Sequence, residues 1–145
     1  MLDIQAALID RIKAITGSDS KVIFKSKSVD AYSGQITQNG IKERITLPAA
    51  LVMFRTGAYP IHSSGAKFDI LVVTESQSFD KETSKNNNLT ACSDLAEYLS
   101  IRPGWTYKTQ NYLIDQRSDK ISVGLILQND RHTIIAVSVT VKKLQ

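Results

Sequence analysis

An alternation of branched aliphatic residues between Lys120 and Val141 restricts the possible folds of this chain more than any other pattern in it. Hydrophobic residues occupy every second position in two runs, 121–127 and 135–141, and the polar sequence Gln128–Arg131 separates the runs. Because successive strand residues point to opposite faces of a sheet, this spacing predicts a β-hairpin with one aliphatic face. An isolated hairpin is only marginally stable in water, so other strands and helices must cover that face.

The N-terminal stretch has helical periodicity. Apolar residues recur at three- and four-residue spacing from Ile4 to Ile15, which predicts an amphipathic helix over about 4–16. Asp3 is placed to cap the start of this helix, and Gly17 is placed to end it. The helix therefore has one apolar stripe to bury against the sheet.

A second helical stripe lies in the middle of the chain. Its apolar positions include Cys92 and predict a helix over about 89–100, with a start as early as Thr83. The run Asn86–Asn88 ahead of the stripe is too polar to contribute to a core. As the single cysteine, Cys92 is expected to be a buried thiol, and the chain to be made in a reducing compartment.

Other apolar runs predict further strands, and the full set predicts an α+β fold. The additional strands are expected at Val22–Phe24, Leu47–Thr56, Lys67–Thr74 and Tyr112–Gln116. A polar, Gly- and Ser-containing stretch predicts a long flexible loop over about 26–45. We expect a single domain, 1–145, with a mostly antiparallel or mixed sheet of about five to six strands and two helices packed on one face. Strand 68–75, helix 89–100 and strand 112–117 form a possible crossover unit.

Composition and charge exclude some classes of function but do not identify one. No run approaches the roughly 20 apolar residues that span a bilayer, so no membrane partner is expected. The formal charge is +4, and the positive excess is regional, because residues 21–67 hold seven Lys or Arg against two acidic residues. A solvated surface is the ordinary interpretation of such a region, and contact with phosphates or an acidic protein surface is the functional one.

The residues that could perform catalysis do not form a recognisable pattern. His62 beside Ser63 could suggest a hydrolytic pair, but adjacent residues rarely orient as nucleophile and base, and no G-x-S-x-G sequence occurs. One Cys and two distant His, His62 and His132, do not make a metal-ligand set. Glycine-rich phosphate-binding motifs are also missing from the sequence. We therefore predict no enzyme activity, no catalytic residue, no metal and no cofactor.

The order of the elements resembles a known family of structural proteins. An opening helix over 3–15 is followed by a polar loop, a strand with the sequence Leu47-Pro48-Ala49-Ala50-Leu51-Val52, a strand over 68–74, a helix ending Leu95-Ala96-Glu97-Tyr98-Leu99, and an apolar hairpin. This order resembles the tail-terminator, or minor-tail-protein-U-like, family of Mu-like and other long-tailed bacteriophages.

The resemblance implies a virion tail protein, made in the bacterial host cytoplasm, that forms a hexameric ring on the tail tube. Such a ring ends tube polymerisation and provides the docking surface for the head or neck. The implied partners are other copies of the chain, the tail tube protein and the head-tail connector or neck proteins, and DNA only passes through the ring.

Basic and aromatic residues outside the predicted core are the candidates for contacts between subunits. They are Lys25, Lys27, Tyr32, Lys42, Arg44, Tyr59, Trp105 and Tyr107. For Trp105 and Tyr107 a cap over the end of the core is the commoner use of such an aromatic cluster. The basic residues could face an acidic surface of the next subunit carrying Asp80, Glu82 or Asp119. The alternative function is that of a nucleic-acid-binding accessory protein that uses the basic region 21–67.

Overall fold

A computed structural model describes residues 1–17, 19–34, 46–77, 79–117 and 119–145 of the chain. The helices in these ranges are α1 (Leu2–Lys13), α2 (Ile61–Ser64) and α3 (Lys81–Ile101). The strands are β1 (Val29–Ala31), β2 (Ala49–Gly57), β3 (Ala66–Glu75), β4 (Gly104–Tyr107), β5 (Gln110–Ile114), β6 (Ser122–Gln128) and β7 (His132–Lys143). The seven strands form one mixed sheet, so the predicted α+β class is confirmed.

The long strand β7 organises this sheet. The strand order is β1-β2-β3-β7-β5-β4, and β6 also pairs with β7. Strand β1 is parallel to β2, and the other pairs are antiparallel. Because β3 and β5 are both antiparallel to β7, they run in the same direction. The predicted crossover from β3 through α3 to β5 therefore joins strands of one direction, but β7 separates them.

The main core lies between one face of the sheet and the two long helices. Helix α1 contributes Ile4, Ala7, Leu8 and Ile12, and helix α3 contributes Cys92, Leu95 and Leu99. Alternate residues of β3 and β7, such as Phe68 and Val137, meet them from the sheet. Burial of these apolar side chains is the main favourable term in folding. The prediction of two helices on one face is confirmed.

A second core lies on the opposite face of the sheet, which we call the outer face. Its buried members are Tyr32, Ala49, Leu51, Leu71, Val73, Ile134 and Ala136. The middle of β2, β3 and β7 is therefore buried on both faces. This is why each of these strands contains a continuous apolar run, such as 70–73 in β3 and 134–137 in β7.

The predicted hairpin is present as β6 and β7, but its aliphatic face is only half covered. Val123 pairs with Val137, and Leu125 pairs with Ile135, on the helix side of the sheet. The β7 residues of these pairs are buried, whereas Val123 and Leu125 are 43% and 54% exposed. A register shift after Leu125 also turns Leu127 to the outer face, opposite Ile134. The prediction that these aliphatics form one buried face is therefore wrong for β6.

The ends of α1 differ from the prediction. The helix starts at Leu2, so Asp3 lies in the first turn and Met1 holds the cap position without a side-chain cap bond. Asp3 instead accepts a hydrogen bond from the Lys143 ammonium at 2.9 Å. The helix ends at Lys13, with Ala14 in the cap position, so Gly17 does not end it. The Gly17 N–H instead donates a hydrogen bond to the Lys21 carbonyl.

Helix α3 is almost twice as long as its apolar stripe. Asp80 caps its start by accepting a hydrogen bond from the Thr83 N–H at 3.1 Å. The helix includes Asn86–Asn88, and Asn88 is fully buried. The expectation that this polar run cannot reach a core is wrong, because the Asn88 amide finds hydrogen-bond partners inside.

The segment between α1 and β2 also differs from the prediction. Val22 forms only an isolated bridge to Thr16, so the strand expected at Val22–Phe24 is not formed, although Phe24 is buried. The loop expected over 26–45 instead starts with a turn of 3-10 helix, Ser26–Ser28, and strand β1. Residues 35–45 of that predicted loop lie outside the described residues. Strand β4 and the short helix α2 had no counterpart in the prediction.

Candidate subunit interface

Two of the predicted contact residues, Lys25 and Lys27, lie beside the edge strand β1. The 3-10 turn that carries Lys27 is anchored by Ser28, whose buried hydroxyl donates to the Thr46 carbonyl at 2.7 Å. Both lysine side chains are exposed, and the structure shows no ion pair between either of them and another described residue. This edge of the sheet therefore carries two positive charges that the described part of the chain does not neutralise.

The other edge of the sheet, at β4, is aromatic. Tyr107 is half-buried, and the Lys108 ammonium lies 5.4 Å from its ring centroid. Trp105 is only 9% exposed, stacks on Tyr112 and donates from Nε1 to the Ala7 carbonyl at 3.1 Å. Trp105 thus fixes α1 to the sheet, as expected of an aromatic cap over the end of the core, and its role in a subunit contact stays a prediction.

The remaining predicted contact residues are dispersed. Tyr32 is 8% exposed and packs in the second core, so little of its side chain is available at the described surface. Tyr59 is 77% exposed in the connection between β2 and α2. Lys42 and Arg44 lie outside the described residues. Of the eight predicted residues, Lys25, Lys27, Tyr59 and Tyr107 have side chains at the described surface.

The acidic residues that were expected to face the basic ones already have partners within the chain. Asp80 caps α3, where hydrogen bonds from Thr83 lower the pKa of its carboxyl group. Glu82 pairs with Lys85 at 3.1 Å. Asp119 pairs with Lys67 at 3.0 Å. These contacts would have to be shared or exchanged if the acidic residues bound a neighbouring subunit.

Sequence reasoning missed a polar groove on the outer face of the sheet. The groove has a volume of about 350 Å³ and contains two ion pairs, Arg55 with Asp69 and Lys67 with Asp119, each with a nitrogen-to-oxygen distance of 3.0 Å. The Ser138 hydroxyl also donates to Asp69 at 2.6 Å. The signal was in the sequence, since Lys67 and Asp69 alternate with buried residues of β3, but only the pairing of β3 with β7 brings Ser138 beside them.

The groups considered for catalysis are not brought together. The Ser63 hydroxyl donates to the Pro60 carbonyl at 3.1 Å, within helix α2 and its cap. His132 lies at the start of β7, where burial and the Arg131 charge lower its pKa. Burial raises the pKa of the Cys92 thiol to about 12, so this thiol is a packing group. Among the described residues, no group of three or more His, Cys, Asp or Glu could hold a metal ion.

No helix in the described part of the chain has the length and apolarity of a membrane span. Comparisons with known proteins do not identify a family for this chain. No protein-family model, curated protein or solved structure matches the chain.

Proposed function

We propose that this chain is a structural subunit of a phage or phage-like tail, which forms a ring on the end of the tail tube. In this role it ends tube polymerisation and presents the surface to which the head or neck docks. The family resemblance is the basis for three parts of this proposal: the six copies, the tail tube partner and the location in the virion. No catalytic residue, metal or cofactor takes part in the proposed function.

The observation that carries the proposal is that two unlike surfaces lie at opposite edges of one sheet. Lys25 and Lys27 lie beside β1, at one end of the strand order, and Tyr107 lies on β4, at the other end. A ring of identical subunits with head-to-tail contacts requires two different patches on each subunit. The two edges of the sheet supply two such unlike patches, one basic and one aromatic.

Aromatic contacts are expected to contribute more to such an interface than the lysines. An exposed ion pair contributes at most about 1 kcal/mol, because water and salt screen it. Buried aromatic residues dominate the binding free energy of most interfaces. Tyr59 and Tyr107 are the exposed or half-exposed members of the predicted set that could act in this way. Rings are therefore expected at high protein concentration or on a tail.

Electron microscopy of the purified chain tests the proposal directly. Negatively stained samples at high concentration should contain rings, and small discrete particles at every concentration would count against the proposal. Reversing both edge charges, in the double variant Lys25→Glu and Lys27→Glu, should reduce the number of rings. The matched control is Arg117→Glu with Arg131→Glu, which removes the same charge from exposed sites away from β1 and should leave the rings intact.

The alternative function, nucleic-acid binding through the basic region 21–67, is tested by retention on DNA. Two cations of that region, Arg55 and Lys67, already pair with carboxylates in the polar groove. Neutralised cations release fewer counterions from DNA, so a shallow salt dependence is expected. Tight retention with a steep salt dependence, lost in the Lys25→Glu and Lys27→Glu variant, would favour the alternative.

A further inference from the structure

The strand β6 has an open edge that lacks the usual protection against pairing with another chain. It pairs with β7 on one side, and no described strand pairs with its other side. All residues from Ser122 to Ile126 are exposed. Edge strands with free N–H and C=O groups invite pairing, and proteins usually protect them with lysine, proline or short length. The run from Ile121 to Asn129 contains no charged residue and no proline.

The apolar side chains of β6 form a stripe on the helix side of the sheet. Val123 and Leu125 are 43% and 54% exposed, and Ile121 packs at the rim of the main core. These three residues point to one side because they are two positions apart in a strand. On the opposite side, a side chain at Gly124 would meet nothing within 4 Å. Both faces of β6 therefore have room beside them.

We propose that β6 pairs with β6 of a second copy of this chain, in antiparallel orientation about a two-fold axis at Val123. In this register Val123 lies opposite Val123 of the second copy, and Ile121 lies opposite its Leu125. The two exposed stripes then lie side by side on one face of the joined sheet, where cross-strand pairs of aliphatic residues stabilise the pairing. The paired segment ends before Leu127, where the register shift relative to β7 would interrupt it.

Among the described sheet edges, length and charge favour β6 itself as the partner. The self-paired segment 121–125 has five residues, whereas β1 has three and β4 has four. Strand β1 also contains the charged residue Asp30, whereas Lys120 lies outside the self-paired segment of β6. An uncharged edge matches another uncharged edge, since it leaves no charge desolvated without a partner.

The two-fold contact does not rest on the proposed function. A self-complementary contact closes at two copies and does not build a ring by itself. It also uses a strand remote from the lysines of the ring variants. The experiments can therefore show dimers without rings, rings without dimers, or both, and each proposal can fail without the other.

Sedimentation velocity of the purified chain provides the first test. Contacts of less than about 1,200 Å² are weak, so the monomer-dimer transition should fall between about 1 µM and 1 mM. Val123→Lys places two like charges face to face on the axis and should weaken the dimer at least about tenfold. Ile101→Lys, at a 67% exposed apolar position at the end of α3, is the control and should dimerise like the unchanged chain.

Cysteine cross-linking tests the register without requiring a stable dimer. Val123→Cys places two thiols opposite each other, whereas the two thiols of Leu125→Cys would be about 14 Å apart at about 3.4 Å per residue. A thiol reagent with a short spacer should therefore link the Val123→Cys chain much faster. The native Cys92 is fully buried and does not compete.

Three results would overturn the proposal. The first is a chain that stays monomeric over the whole concentration range and shows no Val123→Cys cross-link, which would leave β6 open to a strand of another protein. The second is a dimer that Val123→Lys does not weaken, since it must use another surface. The third is cross-linking of Leu125→Cys as fast as that of Val123→Cys.

Discussion

The side-chain amide of Asn88, in the middle of α3, donates a hydrogen bond to the main-chain carbonyl of Thr133 on β7 across 2.9 Å. The same nitrogen lies 2.9 Å from the Val72 carbonyl and the Thr74 hydroxyl on β3. One side chain therefore joins α3 to the two central strands. Buried polar groups are tolerated when they are satisfied in this way.

We expect Asn88→Ala to lower the free energy of unfolding by about 2–4 kcal/mol, because several buried hydrogen bonds are lost and their acceptors stay unpaired. Asn87→Ala, at the exposed neighbouring position, is the control and should be neutral or stabilising by a few tenths of a kcal/mol, because alanine favours helices. Urea denaturation of both variants measures the difference. Equal effects of the two substitutions would show that the buried amide contributes nothing specific.

Stability should depend weakly on pH through Asp3 and Lys143, which tie α1 to β7. The hydrogen bond from Lys143 lowers the pKa of Asp3 from 3.8 to about 2. Because the folded pKa is the lower one, this contribution to stability is present above pH 4 and is lost as the pH falls through about 2. Both side chains are partly exposed and screened by solvent, so the contribution is expected to be small.

The measurement for this pair is the stability of Lys143→Gln relative to the unchanged chain at several pH values. The variant should be less stable at pH 7, and the difference should disappear near pH 2. High salt should reduce the difference as well. A difference that is constant from pH 7 to pH 2 would mean that Lys143 acts through packing alone.

Gly65 should tolerate no side chain, whereas Gly124 should tolerate one. The φ angle of Gly65 is +77°, and an added Cβ would lie 2.8 Å from the Val141 carbonyl oxygen. Gly65→Ala is therefore expected to cost about 1–3 kcal/mol of stability. Gly124→Ala meets nothing within 4 Å and should be neutral or slightly stabilising, since glycine weakens a strand.

Thermal unfolding of the two glycine variants compares them directly. A clear loss of melting temperature is expected for Gly65→Ala and no loss for Gly124→Ala. If Gly65→Ala has the same melting temperature as the unchanged chain, the connection between α2 and β3 can adopt a conformation other than the one described.

Cys92 should react with thiol reagents only after unfolding. Its thiol is fully buried, and burial raises the pKa to about 12. At pH 8 the thiolate fraction is then lower than that of a free cysteine by a factor on the order of 10³. Labelling should be slow in buffer and fast in denaturant. Rapid labelling of the folded chain would show that the packing of α3 against the sheet opens readily.

Elements with a local residue pattern can be predicted from the sequence alone. The alternation over 135–141 and the helical stripe over 4–15 predict β7 and α1 correctly apart from the ends of these elements, because side-chain direction follows from backbone geometry alone. Together with composition, they also determined the α+β class. The helix stripe around Cys92 located the second half of α3 for the same reason.

Which of these residues are buried depends on the fold of the whole chain. Asn88 is polar and Trp105 follows a helix break, yet both are buried, because segments distant in sequence provide the Thr133 carbonyl and the Ala7 carbonyl. Val123 has the same local pattern as Val137 and is exposed, because β6 lies at an edge of the sheet. Periodicity identifies a face of a strand, but what covers that face depends on long-range pairing, which local patterns do not encode.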